Sequence, residues 1–176
     1  RELLALHRPQ ALYMTSVPLM TLGTAMLGAL LSSLIARLTS LFGVVSSSNL
    51  VRPSSYDPVS LGFYFFLLAL LPAFLEELLF RGALLNVLRP YGDGFAILTT
   101  AAFFAVIHCN FEQAPAAFLT GLLFGYAAVI SGSVWPTVLA HFLNNTLALA
   151  AGLLCDALPV DTANLVSLCI NAAYLL

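Results

Sequence analysis

Lysine is absent: all six fixed positive charges are arginines, and with eight acids the charged side chains number fourteen. So little charge excludes a nucleic-acid footprint, which needs Lys and Arg clustered on one face. Cys109, Cys155 and Cys169 are odd in number and lack a CxxC spacing. They read as small apolar side chains in helices, not as a disulfide framework or a metal site. Neither a GxSxG elbow nor an HExxH run occurs, so a serine triad of that type and a standard zincin helix are excluded. No secretory leader is visible in these residues either. The chain opens on Arg1, Glu2, His7 and Arg8, and its first apolar run is too long for a signal h-region. The start without Met is read as residues missing upstream.

What is present is apolar side chain. Hydrophobic residues make up 61% and mean hydropathy is +0.99, against roughly 45–50% apolar in soluble domains. A chain of 176 residues cannot hide so much in one core, so part of its solvent is lipid. Stretches long enough to span hydrocarbon fall at Ala11–Arg37, Val59–Leu88, Phe95–Cys109, Pro115–Ser131, Val134–Leu154 and Val160–Leu176. The expected fold is all-α: a polytopic membrane helical bundle of about six transmembrane helices around an intramembrane polar cavity. It forms a single membrane domain over residues 1–176. The second run would measure about 45 Å at 1.5 Å per residue, and so tilts or overshoots the bilayer. Ser131-Gly132-Ser133 is so short a connection that the fourth and fifth spans should be antiparallel neighbours. Gly121 and Gly125 form a GxxxG, read as close packing within the bundle in preference to a dimer face. The arginine balance puts the N-terminus in the cytoplasm of a multi-pass cell-membrane protein: Arg1, Arg8 and Arg89 lie inside, Arg37 and Arg52 outside.

Against this background the polar exceptions stand out. Glu76, Glu77 and Arg81 lie inside the second run, His108 ends the third, and His141 and Asn145 share the fifth. Each ion in hydrocarbon costs roughly 2.5–3.5 kcal/mol on insertion scales, so such groups face a protein interior or a wet cavity. Glu77 and Arg81, four apart, stack on one helical face as a structural pair. Glu76 is rotated about 100° away, which leaves it the chemical carboxylate, a candidate general base. Pro72, one turn earlier, frees a backbone carbonyl and opens the helix locally. His141 and Asn145, again four apart, point to one side; Asn144 points elsewhere. A Glu, two His and an Asn around shared water are the parts for water activation and oxyanion stabilisation.

These residues carry a resemblance. Glu76-Glu77-Leu78-Leu79-Phe80-Arg81 resembles the EExxxR motif of the CPBP family, also called Abi or type II CAAX prenyl proteases. Phe104 to His108 resembles its FxxxH motif and His141 to Asn145 its HxxxN motif, with Gly132-Ser133-Val134-Trp135 just upstream. The likeness spans about residues 63–150, the expected catalytic core. It implies an intramembrane endopeptidase acting on a prenylated CAAX-type tail or another membrane-associated peptide. By that likeness Glu76 and His108 activate water, His141 and Asn145 stabilise the oxyanion, and Glu77 and Arg81 hold the site together. No cofactor is firmly implied. The family is divided between a metal-free mechanism, preferred here, and a metalloprotease in which Glu76, His108 and His141 bind zinc. The implied partners are membrane lipid and a peptide or prenylated-peptide substrate, with no nucleic acid. Alternatives are a non-enzymatic immunity or scaffold protein and a bacteriocin-processing relative. A proton-coupled transporter is disfavoured, because no repeat is visible.

Overall fold

The computed structural model describes residues 5–44, 52–159 and 161–162. Five helices account for most of them: α1 (Ala11–Ser40), α2 (Pro58–Tyr91), α3 (Asp93–Val106), α4 (Ala114–Ser131) and α5 (Trp135–Ala157). Among the described residues the regular structure is helical throughout, apart from one isolated bridge between Leu6 and Ser133. Four helices (α1, α2, α4 and α5) are long and apolar enough to cross a membrane. With only 14 residues, α3 is about 21 Å long at 1.5 Å per residue, short of the roughly 30 Å hydrocarbon core. Apart from residues 161–162, the sixth candidate, Val160–Leu176, lies outside the described residues. The structure thus supports four spans and one short helix.

Side chains are sorted as lipid demands. Leu12, Leu19, Leu27, Leu30, Leu34 and Leu38 of α1 face outward, whereas Ala69, Ala73, Ala96, Ala101, Ala127 and Ala140 are buried. In hydrocarbon, water does not drive helices together, so close packing of small residues takes over. The two GxxxG glycines, on α4, lie against α3. A Cβ on Gly121 would come within 3.0 Å of the Ala101 Cα, and one on Gly125 within 3.1 Å of the Ile97 Cγ2. α1 packs extensively against both α4 and α5, while α4 and α5 touch each other sparsely despite their short connection. That connection turns on Gly132, whose φ of 63° is left-handed and favours glycine.

The closest approach is at Gly28 of α1, where an added Cβ would lie 2.6 Å from the Ala116 Cβ and 2.8 Å from its Cα. Gly28→Ala therefore forces α1 away from α4 and costs about 1–3 kcal/mol, as overpacking does. Gly23→Ala meets nothing within 4 Å on the same helix. Thermal unfolding in detergent should drop for the first variant and hold or rise for the second.

The long helix α2 starts at a defined cap. Asp57 accepts from the amides of Val59 and Ser60, and Pro58 fills the first turn. Hydrogen bonds from Ser60, then Ser55, hold the Asp57 carboxyl well below the usual carboxylate range. Further along, α2 widens into π-helix twice, at Phe66–Leu70 and Leu78–Leu84. The first has a plain cause: Pro72 has no N–H, so the carbonyl four residues earlier loses its helical partner. The second directly follows Glu76 and Glu77 and contains Arg81. Single widened turns of this kind recur at functional sites.

Candidate active site

Arg81 and Glu77 are both fully buried. The Arg81 Nη1 donates to the Glu77 Oε1 at 2.7 Å, and Nη2 donates to the Gly121 carbonyl at 3.3 Å. The second bond exists because α4 has no side chain at Gly121 to screen its backbone. Three rings enclose the guanidinium, with centroids 4.4 Å (Phe104), 5.3 Å (Phe124) and 5.8 Å (Phe80) from the Arg81 Cζ. One carboxylate and three aromatic faces compensate the buried cation, although the Arg81 Nε and the Glu77 Oε2 have no hydrogen-bond partner among the described residues.

The same Glu77 oxygen has a second partner. The His141 Nδ1 lies 3.0 Å from the Glu77 Oε1. An ionised carboxylate only accepts, so Nδ1 carries the hydrogen and donates it. This bond fixes the tautomer and the plane of the ring, which lies between Phe104 and Phe124 at 5.8 and 5.7 Å. The other ring nitrogen, Nε2, is left facing Glu76, whose Oε2 is 3.9 Å away. Arg81, Glu77, His141 and Glu76 thus form one continuous chain from the buried interior toward a partly open carboxylate. Glu77 is wholly buried, whereas the Glu76 side chain is 29% exposed. Two adjacent carboxylates differ this much because the helix rotates successive residues by about 100°, which turns one inward and leaves the other partly open.

His108 lies in the turn just after the short helix α3, outside the helical run in which it was expected. Its Nδ1 donates to the Phe104 carbonyl at 2.7 Å, four residues back, and its ring meets the Phe104 ring edge-on at 5.1 Å. The two imidazoles therefore flank one phenylalanine. Immediately after His108 the chain turns sharply: Cys109 adopts a left-handed φ of 47°, and the Asn110 side chain accepts from the Glu112 and Gln113 amides. Asn145, one turn beyond His141 on α5, is half-buried and does not hydrogen-bond to these residues.

Of the six residues expected at the site, then, Glu76, Glu77, Arg81 and His141 form one interacting chain. His108 joins it through the Phe104 ring, and Asn145 shares the α5 helix with His141. The roles of Phe104, Phe124 and Gly121 are not readable from spacing. Phe104 was visible only as the first letter of its motif, and the Gly121 carbonyl carries no sequence signal. For a metal, both imidazoles have the right habit, with Nδ1 anchored and Nε2 free of that anchor. Yet among the described residues no three His, Cys, Asp or Glu side chains gather into a group that could hold an ion.

A family model described as type II CAAX prenyl endopeptidase, Rce1-like, matches residues 58–147. That stretch runs from the start of α2 into α5, covers slightly more than half of the chain, and contains every residue of the site. No curated protein matches, and no solved structure does.

Proposed function

The chain belongs to the type II CAAX prenyl endopeptidase Rce1-like family, and from that premise we propose an intramembrane endopeptidase whose nucleophile is water activated by Glu76. The observation that carries this reading is the 3.9 Å between the Glu76 Oε2 and the His141 Nε2. That gap is too long for a direct hydrogen bond, and a water within reach of both groups bridges it. Glu76 takes a proton from that water as the oxygen attacks the scissile carbonyl. Its carboxyl then delivers the proton to the departing amine, as a general base turned acid does. His108 is the second group that orients the water. Asn145 supplies the donor for the oxygen on which charge develops, while His141, whose Nδ1 hydrogen goes to Glu77, accepts a hydrogen from the water at Nε2. Glu77 contributes at one remove, by keeping the His141 ring in register.

If a divalent metal is bound, Glu76, His108 and His141 are its donors and it supplies Lewis acidity. The three are not gathered around a common point, so no step above passes through an ion. The test is cleavage by purified protein of a prenylated CAAX peptide and of an unprenylated transmembrane peptide, each with and without a chelator. Cleavage of the first alone assigns CAAX-type processing, and cleavage of the second a broader intramembrane specificity. Activity that survives chelation supports the Glu76 mechanism, whereas loss restored by zinc replaces it with the metal one. Cleavage of neither peptide removes the proposal.

A further inference from the structure

The turn between α4 and α5 holds an extended piece of the chain that the catalytic scheme does not use. Three successive carbonyls, of Ala5, Leu6 and His7, each receive one donor from three successive residues of that turn. The Val134 amide donates to the Ala5 oxygen at 3.1 Å, the Trp135 indole Nε1 to the Leu6 oxygen at 3.4 Å, and the Ser133 hydroxyl to the His7 oxygen at 2.6 Å. Leu6 and Ser133 pair as an antiparallel bridge. All three contacts are to main-chain oxygens, so what is recognised is an extended peptide backbone and not a particular sequence.

The occupant is lightly held. Leu6, His7 and Arg8 are exposed, so little apolar area accompanies the polar contacts. Ala5 sits at a φ of 45°, a left-handed conformation that costs a non-glycine residue energy. Segments with few buried contacts open at low free energy.

The cradle is also joined to the site. The Trp135 ring packs on Phe74 of α2 at 6.3 Å, three residues before Glu77. Val134 precedes His141 by seven positions, about 10 Å along α5 at 1.5 Å per residue. Extended chain covers that distance in about three residues at roughly 3.3 Å each. A peptide seated on Ser133, Val134 and Trp135 thus reaches Glu76 and His141 with a bond only a few residues further on.

We propose that Ser133, Val134 and Trp135 are the docking site for the backbone of the substrate peptide, and that the Ala5–His7 segment is a resident occupant the substrate displaces. This rests on the endopeptidase reading, and the test separates the two. In full-length chain with Cys109, Cys155 and Cys169 replaced by Ala, Leu6→Cys and Ser133→Cys are joined by oxidation, since opposed residues of an antiparallel bridge lie within disulfide reach. Binding of a dye-labelled prenylated CAAX peptide is followed by polarisation in the oxidised and reduced forms, with hydrolysis measured in parallel. Oxidation should weaken binding at least tenfold, with recovery on reduction. Separately, Trp135→Phe keeps the ring against Phe74 but removes the indole donor. It should raise KM several-fold at unchanged kcat, about the loss of one neutral hydrogen bond. Equal binding by the oxidised and reduced forms, or an unchanged KM for Trp135→Phe, overturns the docking site. Binding that still responds to oxidation in a chain that hydrolyses nothing upholds the docking site and removes the endopeptidase.

Discussion

Glu76→Gln is expected to reduce peptide hydrolysis roughly a thousandfold, the middle of what a positioned general base contributes, while the melting temperature in detergent stays at the wild-type value. The two halves of this result have separate causes. Glutamine matches the carboxylate in shape and still hydrogen-bonds to a water, but it cannot take that water's proton at any accessible pH. Stability is spared because the Glu76 side chain is partly exposed and meets His141 only at 3.9 Å, so no tight buried bond is broken. Glutamine also leaves the inner chain of Arg81, Glu77 and His141 intact. Substrate affinity should change little, since a group that acts on the transition state shows in kcat and not in binding. A membrane scaffold or immunity protein using the same residues to hold a peptide would behave otherwise: its biological effect would persist in the variant. Hydrolysis by Glu76→Gln at the wild-type rate would remove this carboxylate from the chemistry.

The parts of this arrangement that the sequence made legible are those for which lipid leaves few options. In hydrocarbon every backbone amide must be satisfied within its own segment, so a long apolar run is a helix. The runs from Ala11, Val59, Pro115 and Val134 accordingly lie within a few residues of α1, α2, α4 and α5. The link between Glu77 and Arg81 was legible for the same kind of reason, because four-residue spacing on a helix has one geometric outcome. The bond from His141 to Glu77 was not, since 64 positions separate them. Expense in hydrocarbon said that these groups converge, but not which carboxylate would receive the imidazole. Glu77 therefore serves both as ion-pair partner and as the orienting group for His141, where spacing alone revealed only the first role. The widening of α2 was half legible. Pro72 announces the segment at Phe66–Leu70, whereas Leu78–Leu84 contains no proline to announce it. The segment at Ala5–His7 left no mark, because its partners hold main-chain oxygens that every residue possesses.

The second large effect concerns the inner pair. Arg81→Met and Glu77→Gln should each lower unfolding free energy by about 3–5 kcal/mol, the cost of stranding one buried ion. Neither group reaches bulk solvent, since both side chains are fully buried. In Arg81→Met the Glu77 carboxylate keeps the His141 hydrogen bond but loses its cation, and the Gly121 carbonyl loses its donor. In Glu77→Gln the guanidinium is left with that carbonyl and the faces of Phe80, Phe104 and Phe124. The double variant should be more stable than either single one, because removing both charges also removes the unpaired one, and a neutral pair of similar volume packs without that penalty. The interaction term from a double-mutant cycle is then large and positive for the pair. Turnover separates the orienting role from the structural one. Even where the double variant regains its melting temperature, it lacks an anionic acceptor for the His141 Nδ1, so the imidazole that faces Glu76 is no longer held in one tautomer and one plane. Stability should recover while kcat does not. Additive melting shifts across the three variants would show that the pair is not a unit. Full activity in the double variant would show that Glu77 does nothing for His141.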